Sequence, residues 1–266
     1  MIAQIFTPII AMAGLGLVFG VGLAYALKIF GIQVDPKVAL ILAKLPGSNC
    51  GACGKAGCAG FAEALKAGEA LPAGCAVNTD EKRAEIAGIL GIDFQAKVKT
   101  VAAVLCNGGK NAKDKFNYRG IKTCKAASLV FGGQKECAFG CLGFGDCVEV
   151  CPFGAMRMSE LGVPEIDRIK CTSCGKCVKA CPKKIISLLP APRPYYVKCS
   201  STDPGRVVTK VCKAGCIACA RCEKACPHQA IKVRDNLARF DYELCKDAGK
   251  CAEACPARAI PTGPRA

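Results

Sequence analysis

Cys171-Thr172-Ser173-Cys174-Gly175-Lys176-Cys177-Val178-Lys179-Ala180-Cys181-Pro182 decides how this chain is read. Three thiolates separated by two residues each grip three irons of one cubane. The fourth Cys, three residues on and turned away by proline, reaches a neighbouring cluster. Three related runs also end in Cys-Pro: Cys137, Cys141, Cys147, Cys151-Pro152; Cys216, Cys219, Cys222, Cys226-Pro227; and Cys245, Cys251, Cys255-Pro256. Such a pattern implies electron conduction through iron-sulfur clusters.

From Cys137 onward the chain repeats at an offset of 74 or 75 residues, Cys137 matching Cys212, Cys141 matching Cys216 and Cys181 matching Cys255. Two ferredoxin modules in tandem are expected, over residues 136–190 and 195–261, with Pro190 to Pro194 as linker. Alternating segments predict a hairpin over the clusters of each module: Ala155 to Met158 with Glu165 to Ile169, and Ala230 to Val233 with Arg239 to Tyr242.

Upstream, Cys50, Cys53, Cys58 and Cys75 form a compact set that would hold one more cubane. Phe61, Ala62 and Leu65 recur at helical spacing, and Lys82 to Leu90 repeats the pattern before Gly91, a C-cap. This predicts a small helical domain over 34–93. Residues 94–135 read as a connecting segment with one strand, Val98 to Leu105.

Thr7 to Leu27 is an uncharged stretch long enough to cross a bilayer as a helix, so residues 1–30 are read as an anchor. A cleaved signal peptide fits less well, because no basic region precedes the stretch and export would expose oxidisable thiolates. Lys28, Lys37 and Lys44 follow it and no side-chain charge precedes it, which places the remainder in the cytoplasm of a single-pass protein of the cytoplasmic membrane. Gly16 and Gly20 form a G-x-x-x-G, read either as a docking face for another helix or as the ordinary abundance of glycine in membrane helices.

Composition narrows the chemistry. The chain has 266 residues with 23 Cys, no Trp and one His, so clusters must supply much of the stabilisation. The odd Cys count and the spacing argue against a disulfide scaffold. Zinc ribbons have no use for a third Cys in the run or a proline after the fourth. The formal charge of +16 counts every Cys as neutral. Five or six cubanes, each carrying 2− with its four thiolates, would cancel about ten to twelve of those charges. The basic excess is then mostly internal compensation, which argues against nucleic acid as a partner. His228, after Cys226-Pro227, is read as a packing or surface residue, and no paired carboxylates suggest acid-base catalysis.

One membrane span, then Asn49-Cys50-Gly51-Ala52-Cys53-Gly54-Lys55-Ala56-Gly57-Cys58, then Gly140-Cys141-Leu142-Gly143-Phe144-Gly145-Asp146-Cys147 and tandem ferredoxin repeats: this order closely resembles the RnfB family. Its members are the polyferredoxin subunits of the Rnf complex, a membrane-bound ferredoxin:NAD+ oxidoreductase that couples electron transfer to export of Na+ or H+. The resemblance implies an α+β, cluster-dominated chain that takes electrons from soluble reduced ferredoxin and relays them among other Rnf-type subunits. It implies no flavin or nicotinamide site in this chain and no substrate-bond chemistry. A membrane-anchored polyferredoxin of a hydrogenase or formate dehydrogenase is the alternative that the repeats alone would permit.

Two positions depart from a simple ferredoxin, since Phe144 and Ala248 stand where a middle ligand is expected. Cys137, four residues before Cys141, is the nearest substitute, giving sets of Cys137, Cys141, Cys147, Cys181 and of Cys151, Cys171, Cys174, Cys177. In the second module Cys216, Cys219, Cys222 and Cys255 are complete. Cys226, Cys245 and Cys251 are a thiolate short, which leaves [3Fe-4S], Asp247, water or a distant Cys to finish the site. At least four complete [4Fe-4S] sets are expected. Cys106, Cys124, Cys199 and Cys212 remain over: a sixth cluster, buried structural thiols, or a source of the missing ligand.

Overall fold

The computed structural model describes residues 2–30, 35–95, 98–191 and 193–261. Pro192, inside the expected linker, lies outside the described residues. Helix α1 runs Ile2–Phe30. At 1.5 Å per residue it measures roughly 43 Å, more than a bilayer's hydrocarbon core. Its residues Met12–Ile29 are apolar enough to cross a membrane and bury nothing against the other described residues.

The next unit is a helical cradle. Helix α2 (Pro36–Lys44) starts where the Asp35 side chain accepts the Lys37 amide and Pro36 presets the first turn. Helices α3 (Gly57–Lys66) and α4 (Asp80–Leu90) follow, the latter capped by Thr79 and closed by Gly91 in the left-handed region at φ 70°. Val38, Ile41, Phe61, Leu65 and Ile86 form its core, and Cys53, Cys58 and Cys75 are built into the same core. The expected helices of the 34–93 domain are therefore present.

The remaining fold is three two-stranded antiparallel ribbons carrying short helices. Strand β1 (Thr100–Val104) pairs with β4 (Ile186–Pro190), so the segment expected as a connector supplies a strand to the first module's sheet. Pro190 accordingly ends a strand instead of opening a linker. The physical reason is burial: Val101 to Val104 are all buried, which a free connector could not achieve. Strands β2 (Met156–Met158) and β3 (Pro164–Ile166) form one expected hairpin, and β5 (Ile231–Arg234) and β6 (Leu237–Phe240) the other. Helix α5 (Cys124–Leu129) precedes the first module's cysteine loops, and α8 (Gly205–Val211) those of the second. Four one-turn helices sit inside the loops themselves: α6 (Asp146–Glu149), α7 (Lys176–Ala180), α9 (Arg221–Ala225) and α10 (Lys250–Glu253). Each is preceded by a left-handed residue, Gly145, Gly175, Ala220 and Gly249 respectively. That turn lets the chain wrap closely around whatever the cysteines hold.

Candidate metal centres

Four cavities of nearly equal size are each lined by four thiols. Cys151, Cys171, Cys174 and Cys177 line one of about 20 Å³ together with Ala102 of β1. The Ala102 amide points at the Cys171 sulfur, 3.5 Å away. Cys216, Cys219, Cys222 and Cys255 line another of about 20 Å³. These groupings coincide with two of the expected sets.

The third cavity, about 20 Å³, is lined by Cys124, Cys141, Cys147 and Cys181. Cys137, expected here, is replaced by Cys124. The cause is a tertiary contact: Asp146 accepts the Cys124 amide at 2.7 Å and the Lys125 amide at 3.0 Å, which pins the start of α5 against the loop. Phe144, at the missing ligand's position, packs its ring against Tyr118 with centroids 5.6 Å apart.

Cys137 instead joins Cys106, Cys199 and Cys212 around a fourth cavity of about 20 Å³. Those last three are cysteines that the ferredoxin spacing leaves over. The site lies between the modules: the Cys106 sulfur accepts the amides of Gly108 at 3.3 Å and Cys141 at 3.4 Å. On its other side burial pushes the Cys199 thiol up, and the nearby Cys216 backbone amide opposes that rise. A hydrogen bond thus joins this quartet to one adjoining quartet, and the other lies close on the opposite side. The signal for Cys137 was the repeat itself, which pairs it with Cys212.

Cys226, Cys245 and Cys251 are brought together as a triplet, close enough that charge on the first two would add to the rise that burial imposes on the Cys251 thiol. The Ala230 amide donates to the Cys226 sulfur at 3.3 Å. In the cradle, Asn49 accepts the Cys58 amide at 2.8 Å, and Arg83 holds the Cys75 carbonyl through two donors. Cys50 sits half-buried on the same loop. His228 is exposed on the turn after Cys226.

Burial pushes the thiols of Cys141 and Cys147 up to about 12, and those of Cys137, Cys177, Cys222 and Cys251 up to about 11, with neighbouring thiols adding to the rise. Backbone amides oppose this, as at Gly143 beside Cys141. Crowded buried thiolates are costly unless a cationic core binds them, and a coordinating metal deprotonates a thiol outright. Four soft donors around each equal-sized cavity, with amides aimed at the sulfurs, fit an iron-sulfur cubane. A tetrahedral zinc ion would draw its sulfurs to within about 3.8 Å of one another. Among the described residues no three His, Cys, Asp or Glu converge tightly enough to hold a single ion.

Comparison with known families agrees. Residues 45–77 match the family described as "Putative Fe-S cluster", and residues 136–185 and 215–259 match the 4Fe-4S dicluster domain. Over 98% of its length the chain is 43% identical to the B subunit of the Na(+)-translocating ferredoxin:NAD(+) oxidoreductase complex of Acetobacterium woodii, covering 78% of that protein. It is 40% identical to the B subunit of the ion-translocating oxidoreductase complex of Methanosarcina acetivorans over 98% of this chain and 99% of the relative. With the B subunit of the proton-translocating ferredoxin:NAD(+) oxidoreductase complex of Clostridium ljungdahlii it shares 43% identity over 95% of this chain and 90% of that one.

Proposed function

The chain belongs to the family of B subunits of ion-translocating oxidoreductase complexes, and from that premise we propose that it is the electron relay of a membrane-bound ferredoxin:NAD+ oxidoreductase. Electrons from soluble reduced ferredoxin enter the soluble modules and pass to other subunits of the complex. The chain is part of an enzyme but makes and breaks no substrate bond itself. The relatives' names favour this over service to a hydrogenase or formate dehydrogenase.

Four thiol-lined cavities, the cysteines of the cradle and the triplet together support a count of six clusters. Five would be held by four thiolates each: Cys50, Cys53, Cys58, Cys75; Cys151, Cys171, Cys174, Cys177; Cys124, Cys141, Cys147, Cys181; Cys106, Cys137, Cys199, Cys212; and Cys216, Cys219, Cys222, Cys255. The sixth would use the triplet. When bound, such clusters supply one-electron transfer at potentials set by cluster type, hydrogen bonding and exposure.

The observation that carries the relay is the hydrogen bond from the Cys141 amide to Cys106, together with the placing of the Cys216 amide near Cys199. They make the middle quartet a bridge between two modules, each reaching from Cys106 or Cys199 to the Cys-Pro run that closes it. The protein residues do three things. They fix sulfurs around equal cavities, they aim amides at several of those sulfurs, and they shield all of the thiols but the exposed Cys219 at least partly from solvent. Lys28, Lys37 and Lys44, which follow the uncharged stretch in sequence, favour a cytoplasmic soluble part.

The test is add-back. Membranes that hold the rest of the complex but lack this chain should lose ferredoxin-dependent NAD+ reduction, native chain should restore it, and Cys199→Ala should not. Full activity without the chain would contradict the proposal.

A further inference from the structure

The loop Cys245-Lys246-Asp247-Ala248-Gly249-Lys250-Cys251 keeps the shape of its counterpart Cys171 to Cys177 although its middle thiol is gone. Asp247 and Ser173 are both left-handed, at φ 55° and 62°, as are Gly249 and Gly175, at 77° and 73°. In the first module the same deficit, at Phe144, is met by Cys124. No such thiol is spare here, because every other Cys of the chain already lines a four-thiol cavity or belongs to the helical cradle.

What stands in the loop instead is a carboxylate. One oxygen of Asp247, Oδ1, lies 3.6 Å from the Cys245 sulfur. The other, Oδ2, is held at 3.1 Å by Nη1 of Arg193, which also donates to the Cys245 carbonyl. Both side chains are about three-quarters shielded from solvent, 27% and 25% exposed. Oδ1 accepts from the Cys245 thiol, so it comes free for a metal only when that thiol gives up its proton to ligate iron; the Arg193 hold on Oδ2 is the kind of support that ligating carboxylates ordinarily have.

We propose that Asp247 supplies the fourth donor to the cluster of Cys226, Cys245 and Cys251, with Arg193 as the residue that positions it. This rests on the reading of these cysteines as cubane sites. An oxygen donor is harder than a thiolate and holds cluster iron less firmly. The corner iron of this site is then the first in the chain to be lost to a chelator.

The experiment uses the full chain, purified anaerobically in detergent and reconstituted with iron and sulfide. EPR of the oxidised unmodified protein should show no [3Fe-4S] signal. Asp247→Ala should show one such centre per chain and lose about one iron, while Asp247→Ala combined with Ala248→Cys should abolish the signal by restoring a thiolate at the usual loop position. Arg193→Gln should keep the cubane but release its corner iron to a chelator about 10- to 100-fold faster, with the other sites unchanged. A [3Fe-4S] signal in the unmodified chain, or an Asp247→Ala variant with unchanged iron and spectrum, would overturn the proposal. Cubane signals from the other five sites test the underlying reading separately in the same sample, and their absence would overturn that reading and this proposal with it.

Discussion

The amide of Cys141 donates to the sulfur of Cys106 at 3.4 Å, across 35 residues of chain. A loop residue of one thiol quartet therefore touches a thiol of the next. The arrangement repeats around the middle site, because the residues preceding Cys106 and Cys199 are held alike: the Leu105 amide donates to the Ile185 carbonyl and the Lys198 amide to that of Ala259, both at 2.7 Å. Ile185 and Ala259 are related by the same 74-residue offset as the cysteine runs. Each module thus contributes an opening segment that delivers one thiol to the junction.

Removing that junction should separate the modules without destroying them. Cys106→Ala is expected to lose about four irons per chain while the paired clusters on either side persist. Freeze-quench EPR after reduction at one module should then find the other reduced at least ten times more slowly than in the native chain. Retention of all iron with unchanged rates would show that Cys106 is a structural thiol.

Asp146 anchors the thiol that replaces the missing ligand at Phe144, by accepting two amides at the start of α5. Losing such a cap costs about 0.5–2 kcal/mol. Asp146→Ala should release iron from the Cys124 site to a chelator faster than from the second module, with Asp146→Asn intermediate. Equal release from both modules would refute the anchoring role.

Proton competition at the buried thiols has a definite sign. In the cluster-free chain, Cys141 and Cys147 are lifted from 9.0 to about 12. The fold keeps protons that the unfolded chain gives up above pH 9, so its stability from these groups is whole below pH 9 and falls as pH rises towards 12. Cluster assembly runs the other way, since each ligand must shed a proton. Iron retained against a fixed chelator concentration should therefore rise from pH 6 to pH 9, with proton release on reconstitution measurable in weak buffer. A retention that is flat in pH would contradict this.

Of the four left-handed residues that precede the loop helices, Ala220 alone carries a Cβ, at φ 56°. Left-handed backbone costs a non-glycine residue roughly 1–2 kcal/mol, part of which glycine gives back as chain entropy. Ala220→Gly should stabilise the loaded protein by about 0.5–1 kcal/mol in denaturant unfolding. Gly175→Ala, with nothing within 4 Å of the added Cβ, should destabilise it by about 1 kcal/mol through strain alone.

Local spacing made most of this legible. Where ligands follow one another within a run, as Cys171, Cys174 and Cys177 do, the loop geometry is local and the spacing suffices to group them. The helices of the cradle were readable for the same reason, from apolar periodicity and the Gly91 cap. What escaped was set by tertiary docking. Cys137 is nearer to Cys141 in sequence than Cys124 is, but the Asp146 carboxylate holds α5 in place and Cys137 faces the junction. Strand β1 was expected as a strand, yet its partner lies 82 residues or more further on, a distance over which an alternating pattern carries no pairing information. The repeat did hold the missing clue, since Cys137 shares its register with Cys212, and both line the same cavity.

Native mass spectrometry of the intact, anaerobically purified chain, followed by thiol alkylation and peptide mapping, tests the central claim most directly. The account predicts six clusters, about 24 irons per chain at four per cubane, with Cys106, Cys137, Cys199 and Cys212 protected from alkylation until the clusters are removed. Five clusters, with those four thiols freely alkylated in the loaded protein, would contradict it.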